Sequence, residues 1–290
     1  MHYYLADVFT QRPLAGNQLA VFTDDGRLPD ARLMQAIALE MNLSETVFLT
    51  TPTDGGDARV RMFSTVTEVD FAGHPLLGTA VVLARSQEGR ETMVRLETNV
   101  GIVVVRTRAL GDDRFMTWMD QPVPKIADVP EDRVKELLGV LGLEGSVLPV
   151  IEYDAGIPHL YVMADSVEAV RGIEPDFPAL GRAGGPGRPR VNVFALSGEG
   201  SVLTRMFSPF DRLPEDPACG SAAGPLTAHL ARFGLVASGQ EIVLSQGEAV
   251  GRPSELRAVA EVQGSEIREI RVGGGVCLVG SGELRLPGGV

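Results

Sequence analysis

The tetrapeptide Arg61-Met62-Phe63-Ser64 decides the predicted fold, because it recurs about 140 residues later as Arg205-Met206-Phe207-Ser208. A weaker repeat precedes each copy, since Gly16-Asn17-Gln18-Leu19-Ala20-Val21-Phe22 is similar to Gly156-Ile157-Pro158-His159-Leu160-Tyr161-Val162. Two repeats in the same order indicate an internal duplication. The sequence therefore predicts two pseudo-symmetric lobes built on one plan.

Each tetrapeptide leads through two acidic residues into a turn of small residues and then a predicted helix. The first copy reads Glu68-Val69-Asp70-Phe71-Ala72-Gly73-His74-Pro75, and the second reads Glu215-Asp216-Pro217-Ala218-Cys219-Gly220-Ser221-Ala222. The first N–H groups of a helix lack partners within it, and together with the helix dipole they favour an anion. We therefore expect the turns at Gly73-His74 and Gly220-Ser221 to bind a small carboxylate substrate. The alternative is two ordinary helix N-termini.

The apolar pattern around these turns predicts many strands and few helices in each lobe. One helix is expected over residues 75–84, and another begins at Ser221 with Leu226, Leu230 and Phe233 on its buried face. This balance predicts an α+β fold in which each lobe is a mostly antiparallel sheet wrapped around a central helix.

The boundary between the lobes is expected in the stretch Gly111–Val129, which contains two prolines and no clear periodicity. We place the first lobe at residues 1–115 and the second at residues 116–290, with the last strand free to return to the first lobe. The first lobe then carries Glu45 and the Gly73-His74 turn, and the second carries Asp216 and the Gly220-Ser221 turn.

Length and composition restrict the kind of protein. The 290 residues are enough for two cores, and 44% hydrophobic with 22% charged residues is typical of a soluble globular protein. No apolar run is long enough for a membrane span, and the first residues lack the pattern of a signal peptide, so a cytoplasmic location is expected. A net charge of −12 without a basic patch argues against nucleic acid. The scattered histidines and two cysteines predict no metal site.

Glu45 is the main candidate for acid–base chemistry. It lies in Asn42-Leu43-Ser44-Glu45-Thr46-Val47-Phe48, between the end of an apolar helix and an apolar strand. A glutamate is unfavourable in a strand and costly to bury, and burial would raise its pKa towards the range that proton transfer at carbon needs. The alternative is a glutamate that faces solvent at a strand edge.

Other candidates lie in the two turns. His74 could donate a proton or a hydrogen bond to substrate, or only cap its helix. Asp216 could hold a cationic substrate group, or only form an Asx-turn. Cys219 could be an acid–base, since a helix N-terminus lowers a thiol pKa, although a small buried apolar residue is the more common role. Cys277 is expected in the core of a strand.

These blocks resemble the signature segments of the phenazine-biosynthesis PhzF-like family. The resemblance rests on Asn42-Leu43-Ser44-Glu45-Thr46, on Phe71-Ala72-Gly73-His74-Pro75 and on the segment 215–222, and it extends over nearly the whole chain. It implies a diaminopimelate-epimerase fold with the site between the lobes, and a cofactor-free isomerase that is usually dimeric. The reaction it implies converts trans-2,3-dihydro-3-hydroxyanthranilate to its ketone isomer.

The resemblance also implies roles for particular residues. Glu45 would take a proton from one ring carbon and return one to another, with His74 and Asp216 as further catalytic residues. The implied substrate-binding residues are Ser44, Gly73, Cys219, Gly220 and Ser221.

One departure bears on the reaction. Racemases of the same fold use a cysteine from each lobe, whereas here the first lobe has Ala72-Gly73 and no thiol. A racemase or epimerase that uses Glu45 and Cys219, and a non-catalytic protein that binds a metabolite, remain as alternatives.

Overall fold

The computed structural model describes residues 1–23, 29–86, 91–210 and 214–286. The chain forms two compact units. The first comprises Met1–Asp120 together with Gly273–Val290, and the second comprises Gln121–Val272. The first unit therefore extends past residue 115, where the sequence places the boundary, and it includes the end of the chain.

The described residues of the first unit form strands of one sheet and two helices. Its elements are β1 (His2–Val8), β2 (Asn17–Phe22), α1 (Ala31–Met41), β3 (Glu45–Thr50), β4 (Ala58–Ser64), β5 (Glu68–Val69), α2 (Gly73–Ala84), β6 (Glu91–Thr98), β7 (Gly101–Gly111) and β8 (Arg114–Gln121).

Among the described residues, the second unit has more helices than the first. Its elements are β9 (Lys125–Asp128), α3 (Glu131–Leu141), β10 (Ile151–Asp154), β11 (Pro158–Met163), α4 (Val167–Arg171), α5 (Phe177–Ala183), β12 (Arg190–Gly198), β13 (Ser201–Phe207), β14 (Glu215–Asp216), α6 (Gly220–Arg232), β15 (Glu241–Gln246), β16 (Ser254–Gln263) and β17 (Glu266–Glu283). The last strand continues into the first unit after Val272.

The same pattern of strand pairing occurs in both units. In the first, β1–β2, β3–β4, β4–β5 and β6–β7 are antiparallel, whereas β2–β3 and β4–β6 are parallel. In the second, β10–β11, β12–β13, β13–β14 and β15–β16 are antiparallel, whereas β11–β12 and β13–β15 are parallel. The predicted pseudo-symmetric, mostly antiparallel lobes are therefore confirmed.

Each unit contains a buried helix that packs against its strands. Helix α2 packs against β1, β2, β3, β6 and β7, and nearly all of its residues are buried. Helix α6 packs against β16 and is buried from Ala222 to Leu230. A side chain at Gly78 of α2 would collide with Leu19, and one at Gly224 of α6 would collide with Ile270. The small residues thus let both helices approach their sheets closely.

The repeated tetrapeptides occupy matching places down to their side chains. Arg61 forms two hydrogen bonds to Glu68, of 2.8 and 2.7 Å, and its guanidinium lies 5.3 Å from the ring centre of Phe63. Arg205 forms two bonds of 2.9 Å to Glu215 and lies 5.0 Å from the ring centre of Phe207. The duplication inferred from the two repeats therefore includes the same pattern of ion pairing in both units.

Some details differ from the sequence-based expectation. The stretch Gly111–Val129 contains β8 and β9, and alternate side chains of β8 such as Phe115 and Met119 are buried against the sheet. Phe233 is 37% exposed, since α6 ends at Arg232 and the ring lies past the last helical turn. The three helices α3, α4 and α5 were not predicted. Cys277 is buried in β17, as expected.

Candidate active site

Glu45 is positioned by the end of one helix and the start of one strand. Helix α1 ends where Asn42 adopts a left-handed conformation with φ of 51°, and β3 begins three residues later at Glu45. Glu45 pairs with Leu19 on the parallel side and with Ser64 on the antiparallel side. Its side chain retains 21% exposure, so the carboxylate is mostly buried and still open to a ligand.

His74 lies directly beside this carboxylate. Its Nε2 atom is 3.6 Å from Oε2 of Glu45, and its ring is buried at the first turn of α2. Burial lowers the pKa of His74 to about 3, and a backbone hydrogen bond with Gln18 offsets only part of this effect. The imidazole is therefore neutral at pH 7, and Glu45 faces a polar but uncharged neighbour.

A short hydrogen-bonded chain supports the pair. Ser44 donates from Oγ to Oδ1 of Asn17 over 3.2 Å, and Nδ2 of Asn17 lies 3.4 Å from Nδ1 of His74. Asn17 is buried at the start of β2, so it holds the ring from the side opposite Glu45. The structure thus brings the predicted residues Ser44, Glu45, Gly73 and His74 together.

Asn17 itself was not among the predicted site residues. It belongs to the Gly16-Asn17 segment of the upstream repeat, and that repeat is the signal in the sequence that could have indicated it.

The two central helices begin without side-chain caps. The residues that precede them, Ala72 and Cys219, form no capping hydrogen bond, and neither helix has an acidic residue in its first turn. By contrast Asp30, Ser166 and Asp176 cap α1, α4 and α5. The backbone N–H groups at the starts of α2 and α6 can therefore serve an anionic ligand.

In the second unit, Asp216 precedes the start of α6. Its Oδ1 accepts a 2.9 Å hydrogen bond from the backbone N–H of Ala218, which is the geometry of an Asx-turn. Gln246 donates to the backbone carbonyl of Asp216 over 2.7 Å. Asp216 is partly exposed, so the turn fixes its backbone without removing its carboxylate from solvent.

Cys219 is a poor candidate for a thiolate. Burial raises its pKa to about 12, and the charge of Asp216 adds to the increase. The pairing of Phe63 with Glu68 and of Phe207 with Glu215 places Ala72 at the position equivalent to Cys219. The first unit therefore has a methyl group where the second has a thiol.

Ser221 is held by a histidine that the sequence analysis did not select. Nε2 of His159 lies 3.0 Å from Oγ of Ser221, and Nδ1 of His159 lies 3.2 Å from Nδ2 of Asn192. Ser221 Oγ is also 3.3 Å from the sulfur of Cys219. His159 belongs to the upstream repeat, which was the only signal in the sequence, because its contact with Ser221 spans 62 residues.

Within the described ranges, three or more histidine, cysteine, aspartate or glutamate side chains do not gather anywhere in an arrangement suited to a metal ion. No helix of the described residues is long and apolar enough to cross a membrane.

Residues 6–282 match the model of a family described as phenazine biosynthesis-like protein. The chain is 40% identical over 287 residues to trans-2,3-dihydro-3-hydroxyanthranilate isomerase of Pseudomonas fluorescens, covering 99% of this chain and 100% of that protein. The chain belongs to this family.

Solved structures agree with membership of the phenazine biosynthesis-like family. A predicted epimerase from Pseudomonas aeruginosa has a TM-score of 0.82 and 32% identity, covering 99% of both chains. A hydroxyproline epimerase from Agrobacterium vitis shares the fold alone, with a TM-score of 0.65 and 14% identity over 98% of this chain and 90% of that one. The predicted α+β fold of the diaminopimelate-epimerase type is confirmed, and so is the prediction of an isomerase.

Proposed function

We propose that the protein is a cofactor-independent isomerase that moves a proton within trans-2,3-dihydro-3-hydroxyanthranilate or a closely similar cyclic amino carboxylate. The observation that carries the proposal is the carboxylate of Glu45, held 3.6 Å from a buried neutral imidazole at the uncapped start of α2. The similarity to an isomerase of that name over the full chain supports this substrate.

In the proposed reaction Glu45 is the proton shuttle. Its carboxylate removes a proton from one ring carbon and returns a proton to another, so that the same group acts as base and then as acid. His74 stays neutral, because its pKa is about 3, and it steadies the carboxyl group in both protonation states. The N–H of Gly73 and the hydroxyl of Ser44 bind polar groups of the substrate beside Glu45.

Residues before and at the start of α6 are proposed as further substrate-binding groups. Asp216 pairs with the substrate's amino group, and the N–H groups at Gly220 and Ser221 bind an anionic oxygen at the start of α6. Cys219 contributes an uncharged surface, because its thiol stays protonated at pH 7.

The protonated thiol also favours this reaction over racemisation. A two-base racemase needs its second group as an acid in one direction and as a base in the other, and a thiol with a pKa of about 12 is suited only to the first role at pH 7. Ala72 occupies the equivalent position of the first unit, so the partner thiol of such an enzyme is missing as well.

Turnover of defined substrates tests the proposal. We expect wild-type protein to isomerise trans-2,3-dihydro-3-hydroxyanthranilate, followed by absorbance and proton NMR, and to leave the optical rotation of L-proline unchanged. Glu45→Gln should lower kcat about 100- to 10,000-fold, whereas Glu40→Gln, the same change on the exposed face of α1, should have no effect. Racemisation of proline that is lost in Cys219→Ala would contradict the proposal.

We further propose that the enzyme is a cytoplasmic homodimer that needs no added cofactor. The resemblance to the family supports the homodimer and the lack of a cofactor requirement. Sedimentation velocity checks the dimer, and cell fractionation checks the location. Activity retained after dialysis against a chelator checks the lack of a cofactor requirement.

A further inference from the structure

The hydrogen bonds around His159 fix which of its ring nitrogens carries a hydrogen. Nδ2 of Asn192 donates to the backbone carbonyl of Leu160 over 3.1 Å, and a carbonyl oxygen can only accept. The nitrogen of the Asn192 amide must therefore occupy this position. The same nitrogen lies 3.2 Å from Nδ1 of His159, so Nδ1 is the acceptor of its second hydrogen.

A neutral imidazole has one hydrogen, which must then be on Nε2. His159 is neutral because burial lowers its pKa to about 3, with the charge of Arg190 adding to the decrease. Nε2 of His159 accordingly donates to Oγ of Ser221 over 3.0 Å. Ser221 uses a lone pair to accept this bond, and its own hydrogen is directed elsewhere.

From these bonds we propose that Asn192 and His159 are positioning residues that make Ser221 a fixed hydrogen-bond donor to an anionic oxygen of the substrate. The proposal deepens the proposed function and rests on it for the identity of the substrate. The polarity is opposite to that of a hydrolytic Ser–His pair, in which Nε2 accepts the hydroxyl hydrogen and creates a nucleophile. Ser221 is partly exposed, whereas Asn192 and His159 are each 1% exposed.

The contact between Ser221 and the thiol of Cys219 is compatible with Ser221 as a hydrogen-bond donor. Oγ of Ser221 lies 3.3 Å from the sulfur of Cys219, and the sulfur can accept the hydroxyl hydrogen. A substrate oxygen is the stronger acceptor and replaces the sulfur on binding, because sulfur accepts only weakly.

The direct test is the ring nitrogen spectrum of wild-type protein labelled with ¹⁵N-histidine. We expect long-range ¹⁵N–¹H correlations of His159 to show a neutral ring protonated at Nε2 at pH 7. A ring protonated at Nδ1, or an imidazolium, would overturn the proposal. This measurement needs no substrate, so its failure is distinct from the failure of the proposed function.

A double-mutant cycle tests the link to catalysis. We expect Ser221→Ala to raise KM about 10- to 100-fold, His159→Leu to raise it similarly, and the double variant to be no worse than either single variant. His159→Gln, whose amide nitrogen reaches towards Ser221, should restore most of the affinity, whereas the shorter His159→Asn should not. Additive effects of His159→Leu and Ser221→Ala would show a merely structural histidine and overturn the proposal.

A matched control is His229→Gln. His229 is also fully buried and bonds through Nδ1 to the hydroxyl of Tyr153 over 3.0 Å. We expect its replacement to leave KM unchanged, so that the effect at His159 is not a general result of losing a buried histidine. A KM raised as much by His229→Gln as by His159→Leu would overturn the assignment.

Discussion

Three histidine side chains are held neutral inside the protein. Burial lowers the pKa of His74 and His159 to about 3 and that of His229 to about 4, from an ordinary value of 6.5. In the two candidate sites the ring nitrogen Nδ1 faces an asparagine amide, which leaves Nε2 to face Glu45 in one unit and Ser221 in the other. Neutral histidines thus act as fixed polar groups.

The lowered pKa values predict that the protein loses stability in mild acid. Between about pH 3 and 6.5 the unfolded chain binds more protons at these histidines than the folded chain does. The free energy of unfolding therefore rises with pH across this range and reaches its full value above about pH 6.5. At pH 5 each histidine should lower the free energy of unfolding by roughly 2 kcal/mol relative to pH 7. Urea unfolding at pH 7, 6 and 5 measures the loss.

Between pH 5 and 7 the effect of the histidines on stability is separate from that of Glu97, the carboxylate with the most strongly lowered pKa. Hydrogen bonds from the backbone of Thr53, and also of Gly56 and Asp54, lower the pKa of Glu97 to about 2. Its stabilising effect is lost only at lower pH, between about 4.5 and 2. An unfolding free energy that stays constant from pH 7 to 5 would contradict the assignment of buried neutral histidines.

The two cysteines should resist thiol reagents. Burial raises the pKa of Cys219 to about 12 and that of Cys277 to about 11, and both thiols are free and buried. We expect Ellman's reagent to titrate no thiol in the folded protein at pH 8 and two thiols after unfolding. Rapid reaction of one thiol in the folded protein, lost in Cys219→Ala, would show instead an activated cysteine.

At the level of elements, the two equivalent ion pairs Arg61–Glu68 and Arg205–Glu215 differ in burial. The side chains of Arg205 and Glu215 are each 9% exposed, whereas those of Arg61 and Glu68 are 27% and 30% exposed. Arg205 also donates through Nη1 to the carbonyl of Ile173 over 2.7 Å. The pair of the second unit therefore fastens the segment after α4 to β13.

We expect the two pairs to differ in their effect on stability. Glu215→Gln leaves a buried guanidinium without its counter-charge and should lower the free energy of unfolding by about 3 kcal/mol. Glu68→Gln, the equivalent change in the first unit, should lower it by less than about 1 kcal/mol, because water screens the exposed pair. Urea unfolding at pH 7 measures both, and equal losses would show that burial does not decide the difference.

Local sequence was sufficient to predict the central helices and the turns before them. Small residues, a glycine and an apolar run placed α2 and α6 correctly, and the repeat of Arg-Met-Phe-Ser located the strands that precede them. The predicted buried face of α6 was wrong at Phe233, because apolar periodicity does not show where a helix ends. The helices α4 and α5 were missed because they occupy the place of the single helix α1, so the repeat gave no guide to them.

At the scale of the whole molecule, the chain carries one plan twice with different chemistry in each copy. The first unit keeps a carboxylate and a histidine beside its central helix, and the second keeps a serine, a thiol and a histidine from a strand. Duplication was predictable from the repeats. The partners of Ser221 were not, since His159 and Asn192 are distant in sequence and only the parallel pairing of β11 with β12 brings them together.

The central claim is that Glu45 moves the proton, and isomerisation in deuterated water tests it most directly. With wild-type protein and trans-2,3-dihydro-3-hydroxyanthranilate, we predict that proton NMR shows deuterium at the ring carbon that receives the proton, because the proton held by Glu45 exchanges with solvent before its return. Glu45→Gln should form this product about 100- to 10,000-fold more slowly, with the fold intact. Deuterated product formed by Glu45→Gln at the wild-type rate would contradict the claim.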